Sequence, residues 1–81
     1  MPREAIVKFT EAMENKLKQN DHKRHWSQCG MTYLLNRLKE EVEELVEAVE
    51  LCEPSDEVKK ECADVANFAM MIFDIMGNRR Q

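Results

Sequence analysis

The sequence predicts an all-α protein, an antiparallel bundle of three to four helices that a second subunit completes. Three segments carry apolar side chains at intervals of three and four residues, which is the spacing of one helix face. A polar stretch at 21–30 and a proline connector at 53–56 separate them. Between Cys62 and Met76 the third segment is apolar on almost every side, so we expect that one short chain leaves part of it uncovered. A homodimer or homotetramer is therefore part of the predicted fold.

The first helix is predicted over residues 2–19. Pro2 suits an N-terminal helical position, where its missing N–H costs no hydrogen bond. A single apolar stripe follows, made by Ile6, Phe9, Met13 and Leu17. Asn20 and Asp21 end the helix, and residues 21–30 have no period, which predicts a loop with room for a short helical turn.

The second helix is predicted over residues 32–51. At about 100° per residue, its larger apolar side chains fall within an arc of about 120°. They are Leu34, Leu35, Leu38, Val42, Leu45, Val46 and Val49. Glu41 borders this arc and Glu44 lies beside Ala48, so these two acids line a seam. On the far side, the other glutamates are expected to form a solvated face, made by Glu40, Glu43, Glu47 and Glu50.

The third helix is predicted over residues 56–76. Pro54 breaks the helix before it, and Ser55 or Asp56 caps the helix that follows. Gly77 is the expected C-terminal stop.

One acidic residue of this third helix is out of place on a solvated surface. Glu61 projects into an apolar face made by Val58, Val65, Ile72 and Met76. A carboxylate there is costly unless it binds a cation or is protonated. Glu61 is therefore the strongest single indication of a functional site.

Composition narrows the class of protein. The length allows one domain, 1–81, and the net charge of −4 argues against a general nucleic-acid binder. Cys29, Cys52 and Cys62 form no CxxC pair and leave an odd count, which is typical of reduced thiols in the cytoplasm. No signal-peptide pattern and no stretch of roughly 20 apolar residues is present, so no membrane partner is expected.

Two carboxylate pairs form the one constellation that indicates chemistry. Glu41 and Glu44 stand three residues apart on the second helix, and Glu61 and Asp64 repeat the spacing on the third. Each pair points to one side of its helix, and antiparallel packing brings the pairs together. Oxygen ligands of this kind select Mg²⁺, with Mn²⁺ as a substitute. The competing interpretation is that both pairs belong to ordinary soluble helix surfaces.

With this spacing, the chain resembles the MazG-like nucleoside triphosphate pyrophosphohydrolases over about residues 9–76. The resemblance rests on Glu-x-x-Glu followed by Glu-x-x-Asp, on the residues around both pairs and on a tryptophan upstream. It implies Mg²⁺-dependent hydrolysis of nucleoside triphosphates, dNTPs or non-canonical NTPs, to the monophosphate and pyrophosphate. Such an activity cleans the nucleotide pool. By this resemblance the metal-binding and catalytic residues are Glu41, Glu44, Glu61 and Asp64.

The same resemblance suggests substrate contacts. It implies that Trp26 stacks on the base, whereas its simpler role is to plug the end of the bundle. Asn67 and Phe68 are substrate contacts by resemblance, and buried packing residues otherwise. Lys23 and Arg24 are candidates for binding phosphate.

The chain departs from the family in the source of its phosphate-binding cations. Larger relatives have basic residues well beyond the Glu-x-x-Asp helix, whereas this sequence has only Arg79 and Arg80 there. The phosphate contacts come from these two arginines, from Lys23 and Arg24, or from a neighbouring subunit. A zinc site at His22, His25 and Cys29 lacks a fourth ligand and is disfavoured.

Two alternative functions stay open. The related phosphoribosyl-ATP pyrophosphohydrolases share the bundle and the paired acids, although Trp26 and the Asn67–Phe68 pair fit them less well. A non-catalytic helical module, such as an antitoxin-like or dimerisation protein, would release no pyrophosphate. No nucleophile with a matching base is evident, which disfavours a covalent intermediate.

Overall fold

A computed structural model describes residues 1–78 as three α-helices and a short 3-10 turn. The helices are α1 (Glu4–Gln19), α2 (Met31–Glu50) and α3 (Ser55–Gly77), and the turn is Trp26–Gln28. The predicted all-α class is confirmed, and so is the loop with a helical turn between the first two helices. Arg79 and Arg80, two of the predicted phosphate contacts, lie outside the described residues.

Two predictions about helix ends are wrong, and a third, the stop of α3 at Gly77, is confirmed. Pro2 precedes α1, because Arg3 is extended and its carbonyl accepts the first helical hydrogen bonds, from the N–H groups of Ile6 and Val7. Neither Ser55 nor Asp56 is the N-cap of α3. Pro54 takes that position, and its carbonyl accepts the first helical hydrogen bonds, from the N–H groups of Glu57 and Val58. Gly77 is the last helical residue, and Asn78 follows as the C-cap.

The connection between α2 and α3 is a tight turn. Cys52 has a φ of 55°, the left-handed conformation that favours glycine. Its N–H donates to the Val49 carbonyl at 3.1 Å, and the N–H of Glu53 donates to the Ala48 carbonyl at 3.0 Å. These two bonds make a Schellman motif, which satisfies the last carbonyls of α2.

α3 lies between the other two helices and runs antiparallel to both. Met13 of α1 contacts Asn67, and Lys16, one turn later, contacts Asp64, one turn earlier on α3. Within residues 1–78, α1 and α2 pack on α3 but not on each other. The space between α1 and α2 is therefore an open cleft with α3 as its floor.

The core of this one chain is thin. Among the described residues, the buried apolar side chains are Leu34, Ala48 and Ala63. The radius of gyration is 13.6 Å, against about 12 Å for a compact domain of this length. Leu34, Glu41 and Ala48 are spaced by seven residues, which places them on one side of α2. All three are buried, so this is the side that packs on α3.

Much of the predicted apolar surface faces outward. On α2 the exposed part of the arc consists of Leu35, Val42, Val46 and Val49. Ile6 and Phe9 of the α1 stripe are also exposed, and Phe73 of α3 is 80% exposed. The oligomer predicted from the sequence stays a prediction, and this uncovered surface is its physical motive.

Two further features concern the cysteines and the length of the helices. All three cysteines are free. None of the helices described is both long and apolar enough to cross a lipid bilayer.

Candidate active site

Three carboxylates from two helices meet beside the cleft. Glu41 of α2 and Glu61 and Asp64 of α3 each place one oxygen within 4.8 Å of the other two. The spacing of three residues puts Glu61 and Asp64 on one side of α3, and antiparallel packing brings Glu41 opposite them. Glu41 is only 6% exposed, so this acidic cluster is partly removed from water.

Glu44, the fourth predicted acid, lies at the rim of the acidic cluster. Its side chain is exposed, but it is close enough to Glu41 and Glu61 to raise the pKa of both. Glu40, by contrast, is exposed on the opposite face, as the helical projection predicts.

Two acids of the cluster, Glu41 and Glu61, have raised pKa values. Burial, then the Glu44 carboxylate and the charge of Asp64, raise the pKa of Glu41 to about 7, and Arg37 opposes this shift. Burial is also the main cause of the raised pKa of Glu61, followed by the charges of Glu44 and Asp64. Glu61 Oε2 is buried and has no hydrogen-bond partner among the described residues. A buried carboxylate oxygen without a partner is costly, and a bound cation would remove that cost.

Two cations that the sequence analysis did not single out face these acids. Arg37 Nη2 lies 2.9 Å from a Glu41 oxygen, and Arg37 also pairs with Glu40. Lys16 Nζ of α1 lies 3.3 Å from Asp64 Oδ1. The spacing of four residues between Arg37 and Glu41 is visible in the sequence. No local sequence pattern predicts the role of Lys16, because its partner Asp64 is 48 residues away on another helix.

Asn67 joins the acidic cluster to α1. It is 4% exposed, and its Nδ2 donates to the Met13 carbonyl at 3.1 Å. Its Oδ1 is buried and accepts no hydrogen bond from the residues that the structure describes. Next to it, the Phe68 ring lies under the Arg37 guanidinium, 5.1 Å from ring centroid to Cζ.

Trp26 closes the loop onto α3. Its Nε1 donates to Asp74 Oδ2 at 3.0 Å, and its ring stacks on His25 with centroids 4.1 Å apart. The His25 ring nitrogen in turn accepts from the N–H of Ser27, which fixes the start of the 3-10 turn. Trp26 therefore anchors the loop to α3 through a hydrogen bond. The base stacking and the bundle-end packing that were considered from the sequence stay predictions.

A cleft of about 380 Å³ lies beside the acidic cluster, with Glu41 and Asp64 in its lining. It is lined by residues of α1, the loop, α2 and α3. Its polar lining includes Lys16, Lys23, Arg24, Arg37, Glu41, Asp64 and Asn67, and its aromatic lining is Trp26, Tyr33 and Phe68. The structure thus gathers the predicted substrate contacts next to the acidic cluster, and adds Tyr33, Lys16 and Arg37. Carboxylates, cations and aromatic rings around one cleft suit a phosphorylated ligand with a planar ring.

Comparison with known proteins identifies the family. A sequence model described as phosphoribosyl-ATP pyrophosphohydrolase matches residues 6–77, a span that includes all four predicted acids. No curated protein and no solved structure gave a match. The matched family belongs to the MazG-like all-α pyrophosphatase superfamily, and it is the alternative kept in the sequence analysis. Since the match covers nearly the whole chain, this protein belongs to the phosphoribosyl-ATP pyrophosphohydrolase family, whose members hydrolyse phosphoric anhydrides.

Proposed function

We propose that this protein is a Mg²⁺-dependent pyrophosphohydrolase that cleaves phosphoribosyl-ATP between its α- and β-phosphates, giving phosphoribosyl-AMP and pyrophosphate. The substrate is the one that the matched family is named for. The observation that carries the proposal is the acidic cluster of Glu41, Glu61 and Asp64, with the unpartnered Glu61 Oε2.

The acidic cluster fits a divalent cation. Oxygens that share one Mg²⁺ at about 2.1 Å lie about 3 to 4.2 Å apart. The three carboxylate oxygens are already within 4.8 Å of one another, so small side-chain rotations would suffice. Pyrophosphohydrolases of this family generally use divalent metals. Glu41, Glu61 and Asp64 would hold the ion, which neutralises triphosphate charge when bound.

The remaining residues of the site have distinct proposed roles. Glu44 is exposed beside Glu41 and Glu61, so it is suited to accept the proton of the attacking water. Asn67 presents a buried Oδ1 that can accept a hydrogen bond from the substrate. Trp26 and Phe68 offer rings to the base, while Lys23 and Arg24 line the same cleft and offer positive charge.

A second candidate substrate is an ordinary nucleoside triphosphate, including dNTPs and non-canonical NTPs. The loop before α2 favours this substrate, because Lys23, Arg24 and Trp26, the predicted phosphate and base contacts, line the cleft. Glu41 and Asp64 line the same cleft. In this case the enzyme would clean the nucleotide pool. Both candidates require the same bond cleavage and the same acidic cluster.

One assay separates these candidates. Phosphoribosyl-ATP, ATP, the canonical dNTPs and several modified triphosphates are each incubated with the protein and Mg²⁺, and pyrophosphate is measured. Pyrophosphate from phosphoribosyl-ATP alone supports the proposal, and pyrophosphate from dNTPs supports the second candidate. Release of single phosphates would contradict the assigned bond. No product from any substrate would favour the non-catalytic helical module.

We also propose that the working unit is a homodimer or homotetramer in the cytoplasm. Exposed apolar residues on all three helices support the oligomer, since a chain with so few buried apolar residues has little stability of its own. The free cysteines are consistent with a reducing compartment.

A further inference from the structure

The ion pair between Lys16 and Asp64 connects α1 to the acidic cluster. Lys16 Nζ lies 3.3 Å from Asp64 Oδ1, and the two side chains are 27% and 22% exposed. Both residues line the cleft. The charge of Lys16 also acts on Glu61, whose pKa it lowers. Lys16 is thus the cation that α1 contributes to the acidic cluster.

Because Lys16 pairs with an acid of the cluster, it competes with a divalent ion for that acid. Asp64 is one of the three acids that can share a cation, so its negative charge has two competing partners. A bound divalent ion would attract the Asp64 carboxylate more strongly than one ammonium does, and this would weaken the attraction between Asp64 and Lys16. The ammonium is then free to pair with another anion that enters the cleft.

Lys16 is better suited to such an exchange than Arg37. Arg37 is held by both Glu40 and Glu41 and lies over the Phe68 ring, so several contacts fix it. Lys16 has Asp64 as its one acidic partner in the part of the chain that the structure describes. A lysine is also a compact charge on a flexible stem with three rotatable donors, which allows it to change partners.

We propose that Lys16 has two partners in turn: it neutralises Asp64 in the ion-free protein, and it binds a phosphate group of the substrate once the acidic cluster holds a divalent ion. This inference rests on the proposed function, because it requires the acidic cluster to bind the ion. It supplies one of the phosphate-binding cations from α1, a source outside those considered from the sequence.

Removing the charge of Lys16 should change the binding of the ion and the binding of phosphate in opposite directions. Without Lys16, no ammonium competes for Asp64, so the ion alone should bind about fivefold more tightly. Pyrophosphate should bind about tenfold more weakly to the ion-loaded protein, because a charge-assisted hydrogen bond is lost. A residue with a merely structural role would weaken both.

The test uses calorimetry with Mn²⁺ alone, then with pyrophosphate at saturating Mn²⁺. Lys16→Met keeps most of the apolar stem, and Lys16→Arg keeps the charge and should bind pyrophosphate nearly as well as wild type. Lys8→Met is the matched control, since Lys8 lies on the same helix and, within residues 1–78, its one acidic partner is the exposed Glu4. Melting curves establish that each variant is folded.

The outcomes separate this inference from the function on which it rests. Tighter Mn²⁺ binding together with weaker pyrophosphate binding in Lys16→Met supports the exchange. If wild type binds Mn²⁺ and Lys16→Met shows any other combination of effects on the two ligands, the Lys16 inference is wrong and the metal site stands. If wild type binds no Mn²⁺, both the inference and the proposed function are overturned.

Discussion

Trp26 Nε1 donates a hydrogen bond to Asp74 Oδ2 at 3.0 Å, across 48 residues of sequence. Trp26 begins the 3-10 turn before α2, and Asp74 lies in the last turn of α3. The bond therefore pins the loop of residues 20–30 to the far end of the central helix. Because this loop carries Lys23 and Arg24, the same bond sets where their charges lie along the cleft.

Removing either partner of this hydrogen bond should lower the stability, and the effects of the two substitutions should not be additive. Trp26→Phe and Asp74→Ala should each lower the free energy of unfolding by at least about 1 kcal/mol, because each leaves a part-buried partner unpaired. The double variant should lose less than the sum, with a coupling energy on the order of 1 kcal/mol. Urea unfolding of the four proteins measures this cycle. Strict additivity would show that the bond contributes nothing in solution.

Glu61→Gln should abolish pyrophosphate release while leaving the fold intact or more stable. The amide is neutral, so it removes a ligand for the cation and also relieves the repulsion from Glu44 and Asp64. Activity and melting temperature are measured together. Glu40→Gln is the matched control on the exposed face, and its activity should stay near that of wild type. Wild-type turnover in Glu61→Gln would rule out the assigned site.

The ion-free protein should lose stability as pH rises from about 4.5 to about 7. Over this range the unfolded chain ionises Glu41, whose ordinary pKa is 4.5, while the folded protein still holds the proton because its pKa is about 7. The unfolded state thus binds fewer protons, and the free energy of unfolding falls by on the order of 2 kcal/mol. The raised pKa of Glu61 acts in the same direction. Denaturation in EDTA at several pH values measures the slope, which should be smaller in Glu41→Gln.

Mg²⁺ should reverse this loss, because it binds the ionised acidic cluster of the folded protein and hardly binds the unfolded chain. At a hundredfold excess over Kd the gain is about 2.7 kcal/mol. The effect should fade as pH falls below about 7, where Glu41 takes up a proton that competes with the ion. Melting curves with MgCl₂ and with NaCl at matched ionic strength test this. If Mg²⁺ raises the melting temperature no more than NaCl does, the acids form an ordinary solvated surface.

Cys52→Gly should stabilise the protein by about 0.5 to 1 kcal/mol. Cys52 has a φ of 55° in the turn after α2, a conformation that glycine adopts without steric cost. The larger entropy that glycine loses on folding offsets part of this gain. The midpoint of urea unfolding should rise at an unchanged slope. Cys52→Ala is the control, because it removes the thiol and keeps the strain; an equal gain there would assign the effect to the thiol.

The proposed oligomer should depend on the apolar side of α2. Sedimentation should give at least twice the 9.5 kDa mass of one chain, and the melting temperature should rise with protein concentration. Val46→Glu places a charge on the exposed apolar side and should shift the protein toward monomer. Glu47→Arg, on the solvated face of the same helix, should leave the mass unchanged. A stable folded monomer at micromolar concentration would contradict the oligomer.

The helices of this fold, and the difference between its buried and exposed acids, could be predicted from the sequence alone. Helical periodicity in three segments predicted three helices, because an apolar stripe repeats with the pitch of the helix whatever lies across from it. The same projection separated Glu41, which is buried, from Glu40, which is exposed. The error at Pro2 was of two residues, since the first helical hydrogen bonds depend on the conformation of Arg3 rather than on proline alone.

Which residues share the cleft depends on how the helices pack and could not be predicted from the sequence. Lys16 and Asp64, Asn67 and Met13, and Trp26 and Asp74 are about 50 residues apart and meet because α1 and the loop pack on α3. No local pattern encodes such pairs, because helical periodicity fixes the face of each helix and not the rotation or register of its neighbours. The same holds for α2, whose most apolar arc turns partly away from α3, so that the Leu34, Glu41 and Ala48 side forms the contact.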